Sequence, residues 1–89
     1  MTRTVSIRVF GRVQGVGFRY SAMRRAVSLF ITGWIRNHEH GHVEGVIQGG
    51  EEEVAAMLDW LREGPRHARV TETEFSETDG ECFDAFRIL

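Results

Sequence analysis

"GRVQGVGFRY", residues 11–20, sets three glycines and an arginine directly after a short apolar stretch. Glycines let a chain fold inward so that successive backbone N–H groups converge, with no Cβ in the way. A loop leading from a strand into a helix leaves those donors unpaired, and the helix dipole adds to their attraction for an anion. Arg19, on the first turn of that helix, can add two parallel donors to the same oxygens. The guest that suits such a set is a phosphoryl group. On the residues alone, a plain turn is the commoner use of a glycine-rich stretch. "GVGFRY" lacks the third glycine of a dinucleotide fingerprint, and "GRVQGVG" lacks the Lys-Ser/Thr of a nucleotide-binding loop.

Other residues invite chemistry less strongly. "HEHGH" places His38, His40 and His42 at alternate positions, which in an unbroken strand would face one way like metal ligands. Gly41 falls among them, so a solvated hairpin tip is expected, and no metal. Cys82 stands far along the chain from the glycine loop and reads as an unactivated thiol. Glu51, Glu52 and Glu53 open a helix, where the dipole welcomes negative charge, and lack the spaced oxygen ligands of a calcium loop. Trp34 and Trp60 read as core or core-edge aromatics.

Composition narrows the classes. Eighty-nine residues suit one domain spanning 1–89, and 42% hydrophobic with 27% charged residues is an ordinary globule. A net charge of −2 argues against nucleic acid as the main partner. All eleven basic residues are arginine, which removes lysine Schiff-base chemistry. One cysteine forms no internal disulfide. No apolar run is long enough for a signal peptide or a membrane span, so a cytoplasmic location is expected. Met1 at the start and the ending at Leu89 favour an independent protein.

The elements that must position the glycine loop follow from periodicity. "TVSIRVF" alternates Val5, Ile7 and Val9 with Ser6 and Arg8, a half-buried strand, after which Gly11, Gly15 and Gly17 make a loop. "FRYSAMRRAVSLF" spaces Ala22, Met23, Ala26, Val27, Leu29 and Phe30 as an amphipathic helix. "ITGWIRN" and "HVEGVIQ" read as an antiparallel hairpin turning at Gly41. In "GGEEEVAAMLDWLREGP", Val54, Met57, Leu58 and Leu61 form a buried stripe and Gly64-Pro65 stops the helix. "ARVTETEF" is a further strand, Asp79-Gly80 a turn, and "FDAFRIL" a short last strand. This order predicts an α+β split βαβ arrangement, an antiparallel sheet with both helices on one face.

"GRVQGVGFR", "GWIRN", "GHVEG", "GP" and a C-terminal "FRI" together resemble the acylphosphatase family over essentially the whole chain. V-Q-G-V-x-F-R and G-W-x-R-N are that family's two signature blocks, here in the expected order and spacing. The resemblance implies a ferredoxin-like α/β sandwich. It also implies hydrolysis of the carboxyl–phosphate bond of small acyl phosphates to carboxylate and inorganic phosphate, without metal or cofactor. Carried over, it makes Arg19 the phosphate-binding catalytic arginine and Asn37 the residue that positions the attacking water. The backbone of Gln14, Gly15, Val16, Gly17 and Phe18 becomes the phosphate cradle, and Gly11 its opening glycine. A monomer acting on a small molecule, without nucleic acid or membrane, is expected. Neither block places a carboxylate or histidine as general base, so a phosphate oxygen of the substrate is expected to take the water's proton.

Three positions depart from the family pattern. The first helix ends in Leu29-Phe30 where Leu-Gly is usual. A left-handed Phe30 would cost about 1–2 kcal/mol, so a different helix ending is expected. His40-Gly41 stands where Asp-Gly is common, and Gly17 replaces a bulkier residue. The rival reading is a non-catalytic ferredoxin-like module that binds an anion or RNA. "HVEGVIQ" lacks the paired aromatics an RNA-binding sheet face would need.

Overall fold

Val5, Ile7 and Val9 alternate into the core, and in the computed structural model, which describes residues 1–89, they centre the strand β1, Thr2–Arg12. There follow α1 (Phe18–Ser28), β2 (Thr32–Asn37), β3 (Val43–Gly50), α2 (Glu51–Glu63), β4 (Arg69–Glu77) and β5 (Phe86–Ile88). The sheet order is β4-β1-β3-β2-β5. β3 lies antiparallel between β1 and β2, with Val9 opposite Val43 and Val43 opposite Asn37. β1 and β2 therefore run the same way and end at the same edge of the sheet. Both helices pack on the face that carries Val9, Val43 and Ile35. Neither is long and apolar enough to cross a membrane.

The ferredoxin-like α+β architecture is the one expected, with one refinement. β5 pairs parallel to β2, Phe86 opposite Gly33 and Ile88 opposite Ile35, so the sheet is mixed. β4 runs antiparallel to β1 at one edge, and a single reversal brings the chain to the other edge running with β2. Gln48 steadies that crossing. Its buried amide donates to Thr4 Oγ1 and the Glu81 carbonyl, and its Oε1 accepts the Phe83 amide, each at 3.0 Å.

α2 buries Val54, Met57, Leu58 and Leu61 as its spacing predicts, and Gly64 ends it. α1 differs. Its buried stripe is Phe18, Ala22 and Ala26, while Val27 and Phe30 are 62% and 88% exposed. Small residues one turn apart let α1 lie close to the sheet, which leaves the larger side chains on its flanks.

The end of α1 also corrects an expectation. Phe30 does adopt the left-handed region, with φ 57°. Its amide donates to the Val27 carbonyl at 3.1 Å and that of Ile31 to Ala26 at 2.8 Å, the paired bonds of a Schellman ending. Ile31 and Ala26 are both buried, and this contact with its two hydrogen bonds outweighs a strain of about 1–2 kcal/mol at one residue. Phe30→Gly should therefore stabilise the protein by about 1 kcal/mol, since glycine removes the Cβ penalty and the ring buries little. Thermal unfolding should show a rise of several degrees; a lower Tm would disprove the strain.

Candidate functional site

The glycine loop begins later than its sequence suggests. Gly11 lies inside β1, beyond a register shift between Phe10 and Gly11 opposite β4. A Cβ there would sit 2.1 Å from the Arg69 carbonyl oxygen, so this glycine serves the close approach of two strands and does not open the loop. The loop proper, residues 13–17, is held at its base by Val13 and at its exit by Phe18, each 1% exposed. Burial of such side chains contributes about 1.5–3 kcal/mol each, enough to pin both ends of an otherwise exposed span. The Phe18 ring packs against Trp60 at 5.6 Å.

Gly15 and Gly17 have φ of 74° and 76°, yet a Cβ at either would meet nothing within 4 Å. Backbone handedness, not space, demands glycine here. Gly17 caps α1 without any side-chain hydrogen bond, and no acidic residue stands in the first turn. No backbone N–H from Gln14 to Tyr20 donates to any group of the chain; the first amide with a partner is Ser21, bonded to the Gly17 carbonyl at 3.0 Å. Arg19 is half-buried beside these donors and pairs with no carboxylate.

Arg19 and Asn37 line one cleft of about 180 Å³ with Val13, Gly15, Gly17, Phe18, Tyr20 and Ile88. Asn37 arrives there because β2 ends at the same edge as β1, and its place opposite Val43 turns it to the helix-bearing face. Its Oδ1 is buried and accepts from no donor in the chain. No histidine or carboxylate lines this cleft. The sequence-predicted residues Gln14, Gly15, Val16, Gly17, Phe18 and Arg19 thus form one loop and helix start, with Asn37 brought to it from a different strand.

The side chain of Gln14 was not legible as a site residue. Its amide donates to the carbonyls of His38 at 2.8 Å and His42 at 3.0 Å, bridging the loop to the β2–β3 turn. The turn itself closes with His38 and His42 opposite one another, the His38 amide donating to the His42 carbonyl at 2.8 Å. The two imidazoles stack at 4.2 Å, Phe10 lies 4.7 Å from the His42 ring, and Glu44 accepts from Arg36 Nε at 2.7 Å. Burial above all holds His42 below the ordinary imidazole value; the charges of His38, Arg8 and His40 act the same way and Glu44 opposes them. The Arg36 hydrogen bond lowers the Glu44 carboxyl against its own burial.

A larger hollow of about 810 Å³ opens at the other end of β1, lined in part by Arg3, Gln48, Glu77 and Cys82. Arg3 is paired there with Glu77, and the Gln48 amide is committed to Thr4 and the Glu81 carbonyl. Cys82 is an exposed thiol, as expected. Trp60 packs at the core edge, whereas Trp34 stands on the other sheet face under the Arg36 guanidinium at 5.2 Å.

A family model described as Acylphosphatase matches residues 5–88. The acylphosphatase of Bordetella avium is 48% identical over 77 residues, which cover 86% of this chain and 82% of that protein. The acylphosphatase of Thermococcus kodakarensis is 45% identical over 83 residues, covering 93% and 91%. The structure of an acylphosphatase from Coxiella burnetii superposes with a TM-score of 0.95 at 36% identity, over 99% of this chain and 93% of that one.

His42 gives a pH test of this geometry. Its folded value lies below the ordinary 6.5, so the unfolded chain binds the proton more readily. The stability this represents is full above 6.5 and is lost as pH falls through that value toward the folded one. In metal-free buffer, Tm should drop as pH falls below about 7, and His42→Gln should flatten that part of the profile. An unchanged slope in the variant would refute the burial of this imidazole.

Proposed function

Because this chain belongs to the acylphosphatase family, which hydrolyses the carboxyl–phosphate bond of acyl phosphates, we propose that Arg19 and the amides of Gln14, Gly15, Val16, Gly17 and Phe18 hold the phosphoryl group while Asn37 orients the attacking water. The observation that carries this reading is the buried, donor-less Asn37 Oδ1 in one cleft with the unpaired amides and unpaired Arg19. A carboxylate leaves phosphorus readily. The demanding part is alignment of water with that bond while negative charge spreads over the equatorial oxygens. Loop amides and the guanidinium fork are aimed at that charge, and a carboxamide oxygen accepts from water and holds it in line. Each hydrogen bond to a charged oxygen contributes about 1.5–3 kcal/mol, so a few donors supply a large rate factor.

The cleft lining offers no enzyme base, which supports transfer of the water's proton to a phosphate oxygen of the substrate itself. The substrate is a small acyl phosphate and inorganic phosphate is a product, matched to the size of the cleft. The 89 residues act as one domain, a cytoplasmic monomer that needs no cofactor and no nucleic acid. The net charge of −2 fits that last reading.

Phosphate release from benzoyl phosphate in the presence of a chelator tests the proposal. Arg19→Lys should lower kcat by about 10²-fold or more, because a point charge cannot reproduce the planar fork. Asn37→Ala should lose turnover yet keep its affinity for inorganic phosphate; loss of phosphate binding instead would show that Asn37 holds the anion. The pH–rate profile should track ionisation of the substrate. An inflection near pH 6.5 that survives a change of acyl phosphate would place a histidine in the proton transfer.

A further inference from the structure

We propose that His38, His42 and Glu44 form a binding site for one divalent transition-metal cation of the zinc class, on the sheet face opposite the helices. Alternation puts them there. Asn37 and Val43 face the helices, so Arg36 and Glu44, opposed in the ladder, face the other way. His38 and His42 flank that pair across the three-residue turn, which is why their rings stack at 4.2 Å and 16°. The donor atoms of His38, His42 and Glu44 all lie within 4.8 Å of one another.

Two imidazoles and one carboxylate suit zinc, cobalt, nickel or copper, whereas magnesium and calcium call for an oxygen-only set. Tetrahedral donors at zinc bond lengths stand about 3.4 Å apart, and an imidazole coordinates in its own ring plane. One of the two stacked rings must therefore turn out of the stack about its side-chain torsions for the three donors to converge. One donor is already stranded: His42 Nε2 is buried and has no hydrogen-bond partner. Phe10 lies against that ring at 4.7 Å. His38 is oriented by the His40 amide, which donates to its Nδ1 at 3.1 Å, a single turn contact that coordination through Nδ1 gives up.

Competition for the site is built in. Arg36 Nε holds Glu44 Oε2 at 2.7 Å, leaving the other carboxylate oxygen for a metal. Arg8 stays with Glu74 at 3.8 Å, so its charge is partly answered on its own side. The His40 ring is exposed and meets that of His38 edge-on, 4.8 Å between centroids. It is outside the donor set despite its place in the alternating histidines.

Calorimetric titration of chelator-stripped protein with Zn²⁺, and with Co²⁺ read by its visible bands, tests this apart from any hydrolysis. One ion per chain should bind, with tetrahedral-type cobalt bands. His38→Ala, His42→Ala and Glu44→Gln should each weaken uptake about tenfold or more, while circular dichroism confirms the fold. His40→Ala and His67→Ala should leave it unchanged, and Arg36→Gln should tighten it several-fold by freeing Glu44. No saturable uptake, uptake that survives both His42→Ala and Glu44→Gln, or loss with His40→Ala alone would each overturn the site.

Discussion

Every backbone amide from Gln14 to Tyr20 lacks a partner within the chain, and the fold is arranged to hold that row still. Unpaired donors are tolerable because the loop is largely open to water, but water would also let it wander. Val13 and Phe18 counter this from the core side, and Gln14 from the hairpin side. The two Gln14 hydrogen bonds contribute about 0.5–1.5 kcal/mol each, modest in total yet placed where the loop has no other attachment. The loop is thus stiffened without using its own backbone donors, which stay free for the anion proposed to sit there.

The same edge of the sheet supplies the second half of the site. β1 and β2 are separated by β3 and so run in parallel, which brings the loop after β1 and the end of β2 to one edge. Asn37 reaches the cleft through that topology rather than through any local signal. One residue further on, the chain turns over to the opposite face, where His38, His42 and Glu44 gather. The hairpin therefore serves two sides: its inward residue lines the cleft shared with Arg19, and its outward residues form a separate polar cluster.

Much of the fold was legible beforehand because burial imposes period on sequence. The α2 stripe and the alternation of β1 emerged as read, since each depends only on which face meets the core. The glycine loop and Arg19 were legible because they are contiguous, and it was the resemblance to the family blocks that attached a phosphate-binding role to them. Gln14's side chain was not, because an amide that binds carbonyls more than twenty residues away has no local signature. Glu44 escaped because only the register of the hairpin sets it on the same face as His38 and His42, while His40 stood out by spacing alone although the turn leaves it exposed.

From its sequence alone, this chain specified its elements, its contiguous glycine loop with Arg19 and its family blocks, all properties of neighbouring residues. Tertiary structure alone decided that β5 runs parallel to β2, that Gly11 belongs to a strand approach, and that Phe30 accepts a left-handed backbone. Each of those depends on a partner distant in the chain or on packing that offsets a local cost. Periodicity reports which way a residue faces, and only the assembled sheet determines what it faces.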